Sequence, residues 1–454
     1  MANLIPPPVA TNRTENQMPI APWKELIKKS PLGLFLGREV WALVDQGLVS
    51  AVSFLTNVML ARFMGLHEFG QFALTWMAIL FVNSLQTALI VAPMMSIGPK
   101  QEEKDRPLYF GAVVAQEICL LLLCFSFIFF GVRTCSGVFH HPEISHLALP
   151  LAVAAFAYQG QDFVRRYFFA TRQSQRALWD DALSYLPQLL LIGLLHRAKL
   201  LNSASALWAM AATSILGLII GSFWLERIRF QAEWIRMIWW RHWKISRWLT
   251  GSALLVWTSS NLFILSAPVY YGVAAAGVLK ASQNVMGVAN IWFLGLENIV
   301  PAESARQLHV GGLAAMLRYI RSVIWKWGGL TFLYAALISI MPGLLLKLIY
   351  GPQMGSYGYV LRLYAALYLI SFIGGPLRAG LQALEFTMPV FFSYLVMTGF
   401  AFVFAMPMAK WLGMSGSLLG LLSAQIIFQG IVGISLVWKA RHIRRHSEPA
   451  LQSN

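Results

Sequence analysis

The chain has 454 residues, of which 57% are hydrophobic and only 12% charged, with a formal net charge of +16. Soluble domains carry about a quarter of their residues as charges, so a soluble fold is excluded, and with it a soluble nucleic-acid binder. The basic excess lies instead in short loops between apolar runs, where it reports topology and contact with anionic headgroups.

The first 38 residues, which include Pro6, Pro7 and Pro8 among many polar residues, read as a cytoplasmic disordered tail. They lack the apolar core and small-residue cleavage site of a signal peptide, so the mature chain is expected to keep them. Apolar runs of about 20 residues then recur to the end of the chain, each long enough to cross roughly 30 Å of hydrocarbon. The runs are continuous rather than alternating, so the spans are helices rather than barrel strands. They are predicted at 41–63, 71–97, 110–132, 147–168, 178–196 and 203–225, then at 248–270, 274–300, 324–347, 357–377, 387–409 and 414–437. The fold class is therefore all-α: a polytopic membrane protein of about twelve transmembrane helices in two six-helix lobes. An N-terminal lobe is expected over 39–227, a connector over 228–247, a C-terminal lobe over 248–438, and a basic tail over 439–454.

Orientation follows from Lys and Arg. Alternate loops, counted from the N-terminus, hold about 26 of the 35 basic residues, among them Lys100, Arg165, Arg166, Arg172, Arg241, Arg321 and Arg445. The positive-inside rule makes that side cytoplasmic, with both termini on it. The opposite side has only short loops. The longest, from Arg133 to His146, contains His140, His141 and His146 with Glu143 and reads as a solvated loop. The segment Ala232–Trp248 places Trp234, Ile235, Ile238 and Trp239 at helical spacing, with Arg236, Arg241 and Lys244 off that face. That is the pattern of a basic amphipathic helix lying in the interface.

The two halves resemble each other. The first pair of spans turns at Gly65–Gly70 and the seventh and eighth at Gly272–Gly277, an offset of 207 that also brings Asn83 onto Asn290 and Pro93 beside Pro301. Six spans per half give both halves one orientation, related by an axis along the membrane normal, as in transporters that rock two lobes about a central site.

Polar groups within spans are costly and so mark function. The first span carries Gln46, Ser50, Ser53 and Asn57 on one stripe, flanked by Asp45. The second adds Asn83, and the eighth carries Lys280, Gln283, Asn284, Gly287 and Asn290 over one arc. If the halves pack face to face, these stripes line one hydrophilic cavity; otherwise they are interhelical hydrogen bonds. Lys280, about 9 Å in from the external end, is either a substrate-facing cation or a snorkelling side chain. Arg62 lies near the external end of the first span. Asp45 either binds a coupling cation or proton, or pairs with Arg38 or another loop base. The three cysteines, Cys119, Cys124 and Cys135, give neither a disulfide framework nor zinc spacing. No nucleophile–base pair, phosphate loop or metal motif stands out, so neither a catalytic site nor a cofactor is expected.

The stretch Leu43-Val-Asp45-Gln46-Gly47, followed by Asn57-Val-Met-Leu-Ala61-Arg62-Phe-Met-Gly65-Leu-His-Glu68-Phe69-Gly70, resembles the polysaccharide flippases of the MOP superfamily, relatives of the MATE exporters. The Ala-Arg-x-x-Gly-x-x-Glu-Phe-Gly turn carries most of the likeness, which is close over about 60 residues. It implies a V-shaped two-lobe fold with alternating access in the bacterial inner membrane. The implied substrate is an oligosaccharide on a polyprenyl diphosphate, made at the cytoplasmic face. The implied partners are membrane lipids, a polysaccharide polymerase and a chain-length regulator. A cationic cavity suits a diphosphate that must lose water, and Arg62 and Lys280 fit that need, with Asn57, Asn83, Asn284 and Asn290 as further substrate contacts and Asp45 for ion coupling. A MATE-type cation-coupled drug exporter is the nearest alternative, and would favour acidic cavity groups. A membrane-embedded polymerase or ligase is the alternative of another class, but would need a large external loop.

Overall fold

The computed structural model describes residues 38–138 and 145–447; all of the expected tail over 1–38 except Arg38, together with His140, His141 and Glu143, lies outside them. The described residues are helical nearly throughout, with no strand among them. Seven uninterrupted apolar stretches are long enough to cross a membrane. Three of them, 44–100, 273–340 and 388–445, are divided by a glycine with non-helical backbone at Gly65, Gly312 and Gly413, so each supplies two crossings. Helices Ala148–Ala170 and Ser174–Arg197 carry more charge, but their 23 and 24 residues reach about 35 Å. Twelve crossings result, as the hydropathy pattern implies.

They are named α1 (38–64), α2 (66–97), α3 (Arg106–Val138), α4 (Ala148–Ala170), α5 (Ser174–Arg197) and α6 (Ser203–Phe223), then α7 (Ala232–Tyr271), α8 (273–311), α9 (313–340), α10 (Gly358–Ala383), α11 (388–412) and α12 (414–447). A short helix, Pro342–Tyr350, lies between α9 and α10. The segment expected as a separate connector is instead the start of α7. Helix runs unbroken from Ala232 to Tyr271, through Gly251 and Pro268, and no Gly or Pro falls over 232–250 to separate the expected connector from the span.

The internal repeat is visible in backbone geometry. Gly65 has φ 79°, ψ 171° and Gly272 has φ 75°, ψ 170°, a conformation that a residue with a Cβ adopts only under strain. The two turns then pack on each other. A Cβ on Gly70 would overlap the Val273 carbonyl, and one on Gly277 would stand 3.0 Å from the Leu66 carbonyl oxygen. Leu66 and Val273, like Gly70 and Gly277, are 207 positions apart, so the contact is reciprocal about a pseudo-two-fold axis. Arg62 adds a hydrogen bond from Nη2 to the Leu348 carbonyl at 3.1 Å, and Gln353 donates to the Ala61 carbonyl at 3.4 Å. The halves are thus latched at the end remote from the termini.

A second pair of matching positions lies 213 residues apart. The Gln173 N–H donates to the Phe168 carbonyl at 2.7 Å and the Phe386 N–H to the Leu381 carbonyl at 2.9 Å. The intervening Arg172 and Glu385 are both left-handed, at φ 62° and 52°. This shared C-terminal cap aligns α4 with α10 and places Arg165 opposite Arg378.

Candidate functional site: a buried carboxylate network

The densest polar chemistry lies inside the first half. Five carboxylates, Asp45, Glu117, Asp162, Asp180 and Asp181, are buried there on α1, α3, α4 and α5. Arg165 of α4 is their hub. Its Nη2 donates to Asp45 Oδ2 at 2.9 Å, its Nε lies 2.7 Å from Asp181 Oδ2, and its Nη1 lies 3.6 Å from Asp162 Oδ1. Arg166 approaches Asp162 Oδ1 at 3.5 Å. Around this core, Gln161 Nε2 donates to Asp180 Oδ2 at 3.0 Å and Asp181 Oδ1 at 2.7 Å. Asn83 Nδ2 donates to Asp162 Oδ2 at 3.2 Å and Gln159 Oε1 at 3.0 Å. Gln86 Nε2 donates to Glu117 Oε1 and to the Gln159 carbonyl, both at 2.7 Å.

Small residues make room for the network. A Cβ on Gly221 of α6 would come within 2.5 Å of Asp180 Oδ1, and one on Gly217 would overlap the Ser184 hydroxyl. The α5–α6 contact thus depends on two glycines one turn apart. Satisfaction is incomplete: Asp45 Oδ1, Glu117 Oε2 and Asp180 Oδ1 are buried without a hydrogen-bond partner. Five carboxylates against two guanidiniums leave an excess of negative charge that a buried site does not hold uncompensated. The arrangement is therefore suited to taking up protons. Among the described residues no group of three or more His, Cys, Asp or Glu has the geometry to hold a metal ion.

The residues singled out from sequence fall into three places. Asp45 and Asn83 join the network. Asp45 is fully buried and pairs with Arg165, the base that the pairing alternative left unnamed. Arg165 and Arg166 are themselves corrected from loop residues to the last two turns of α4, where Arg165 is only 11% exposed. Asn57 is buried but donates to the Ser53 carbonyl of its own helix at 2.8 Å. Arg62 belongs to the latch. On α8, Asn284 donates to the Tyr350 hydroxyl at 2.9 Å and Asn290 is exposed. Lys280 is half-buried between the fully buried Leu279 and Ala281, and among the described residues it has no hydrogen bond or ion pair.

Sequence reasoning missed Glu117, Asp162, Asp180, Asp181 and the Arg378–Glu297 pair. The latter, at 3.4 Å, borders a cavity of about 220 Å³ between α8 and α10, walled by Phe293, Phe372, Pro301 and Pro376. A signal existed in Gln116-Glu117 inside an otherwise apolar run, and in Asp162 set 3 and 4 residues before two arginines.

No family model matches the chain, and no curated protein matches its sequence. Solved structures do. An inward-facing multidrug resistance MATE transporter of the MOP superfamily superposes with TM-score 0.68 at 10% identity, over 89% of this chain and 99% of that one. The fold is that of the MATE transporters. A MATE structure in the straight conformation gives 0.61 at 12% identity, over 89% and 95% of the two chains. A MOP superfamily transporter from Pyrococcus furiosus, described as having a binding pocket of reverse polarity, gives 0.56 at 12% identity, again over 89% and 95%. The protein is a multi-pass membrane protein with a transporter fold.

Proposed function

We propose that the chain translocates an oligosaccharide carried on a polyprenyl diphosphate, from the leaflet on the side of its termini to the opposite leaflet, by alternating access of its two halves. The observation that carries this reading is the contrast in free charge. The five buried carboxylates of the first half are engaged by Arg165, Arg166, Gln86, Gln161 and Asn83, whereas Lys280, within a span, is an unengaged cation. A free cation suits an anionic substrate. Arg62, Asn57, Asn83, Asn284 and Asn290 would complete the contacts along α1, α2 and α8, and Arg62 would become available when the latch opens. The latch leaves the far end closed in this state. The carboxylate network around Arg165, with Asp45 among its members, would bind the coupling proton, since uptake there changes which groups Arg165 must neutralise. On this reading the protein is not an enzyme. It resides in the bacterial inner membrane with cytoplasmic termini and hands its cargo to a polymerase and a chain-length regulator.

The buried acids also favour a second reading, a MATE-type cation-coupled drug exporter. Deleting the gene separates the two. Loss of a surface glycan with accumulation of lipid-linked units at the inner leaflet is expected. Normal glycan with raised sensitivity to cationic drugs would replace the flippase by the exporter.

A further inference from the structure

A second cavity lies outside the carboxylate network. It has a volume of about 200 Å³ and is walled by Leu89 and Ile90 of α2, Leu120 and Leu123 of α3, and Trp239 and Trp243 of α7. Its mouth faces the membrane, since Leu123 is 61% and Trp239 and Trp243 are each 46% exposed. Two polar side chains interrupt the apolar wall. Gln116 is 4% exposed and neither its amide oxygen nor its nitrogen has a partner; His242 is 2% exposed and its Nδ1 has none, while Nε2 meets the Tyr109 hydroxyl at 3.1 Å. Buried amides without partners are rare and costly, so this wall is built to meet a polar atom of something that enters.

The adjoining surface indicates what enters. Along α7, Arg236, Trp240, Trp243 and Arg247 recur at steps of 4, 3 and 4 and are all exposed, forming one stripe beside the cavity. Ala232, Ile235, Arg236 and Trp240 line a shallow groove that continues the cavity toward the start of α7 and shares Trp239 with it. From Arg236 to Ser246 at the cavity floor is ten residues, roughly 15 Å along the helix, about the reach from a phosphate to the middle of an acyl chain. Tryptophans at this level are interfacial anchors, and arginine pairs with phosphate through its planar fork.

We propose that this face of α7 holds an anionic phospholipid. Its phosphate lies at Arg236, its ester oxygens meet Gln116 and His242, and one acyl chain fills the cavity between α2, α3 and α7. The site joins the start of α7 to α2 and α3 of the first half, so an occupant steadies the link between the halves without entering the transport path. The assignment does not depend on what is transported.

The test uses the full chain in nanodiscs containing phosphatidylglycerol or phosphatidylcholine with a photoactivatable acyl chain, the cross-linked peptides being located by mass spectrometry. Cross-links from the phosphatidylglycerol probe are expected to concentrate on Leu89, Cys119–Leu123 and Trp239–Ser246. Arg236→Gln, at an exposed position that leaves folding intact, should weaken that labelling about fivefold, the contribution expected of one basic residue at an anionic surface, whereas Arg247→Gln, roughly 16 Å further along the helix, should leave it unchanged. Leu120→Phe, which fills the cavity, should displace the label to the general lipid-facing surface. Equal labelling by both probes, with no effect of Arg236→Gln, would identify an ordinary gap in the lipid annulus and overturn the proposal. Cross-links spread evenly over the outer helices would do the same.

Discussion

Arg165 and Arg378 occupy equivalent places in the two halves, 213 positions apart, seven residues before the left-handed residue of the same cap. Their surroundings differ. Arg165 is 11% exposed and faces carboxylates from α1, α4 and α5. Arg378 is 27% exposed and meets one, Glu297, itself 55% exposed, at the edge of an open cavity. The backbone frame is thus indifferent to whether its cation is locked or reachable. What decides is the partner set on neighbouring helices, and the two halves have diverged there: the first stores charge, the second exposes it.

The largest expected effect is on stability. Arg165→Met strands buried carboxylates, and breaking a buried pair from one side costs about 3–5 kcal/mol. Arg378→Met should cost about 1 kcal/mol or less, as for a partly exposed pair. Thermal unfolding of the detergent-purified variants measures both. Equal losses would erase the distinction between the halves.

The next effect concerns the contact that the halves share. Gly70→Val places side-chain atoms where the Val273 carbonyl stands, so the far end should no longer close. Gly277→Ala should be milder, because its nearest neighbours lie at 3.0–3.1 Å and need yield only slightly. Cross-linking of Leu66→Cys to Val273→Cys, in a background without the native cysteines, reports closure. Efficient cross-linking in Gly70→Val would show that the latch does not depend on this approach.

A third prediction isolates the stored charge. Glu117→Gln and Asp181→Asn keep volume and most hydrogen bonding, so unfolding should shift by less than the Arg165 variant. Transport by reconstituted protein should lose its response to an imposed ion gradient, while equilibrium exchange persists. If gradient response survives in both, the network is structural.

The span pattern was legible in the sequence because hydropathy over twenty residues integrates many small contributions, and the Gly65 and Gly272 turns were legible because left-handed backbone selects glycine. The network was not. Asp162, Arg165 and Arg166 sit in the last three turns of α4, and Asp180 and Asp181 in the second and third turns of α5, where charges normally mark a loop. Only tertiary packing turns those helix ends inward. Glu117 was hidden for the opposite reason, as a single acid in a strongly apolar run. Neither hydropathy nor helical spacing identifies which of several bases Asp45 will meet across a bundle.

An effect on stability opposite in sign to that of Arg165 belongs to Lys280. It is half-buried about 10 Å from the start of α8, and its ammonium has no hydrogen bond or ion pair among the described residues. A half-desolvated charge without a partner costs free energy that a methionine of similar length would not. Lys280→Met should therefore raise stability, by about 0.5–2 kcal/mol as for other substitutions that relieve a functional site, while transport falls. Lys280→Arg should keep part of the activity, since charge persists in altered geometry, and Lys280→Glu should be worse than Met because it repels an anionic cargo. A snorkelling lysine predicts otherwise: its charge already reaches water, so Met would bring little stability and Glu would transport normally. Measuring unfolding and transport on the same three variants decides between them, because only a cation held ready for substrate couples a gain in one to a loss in the other.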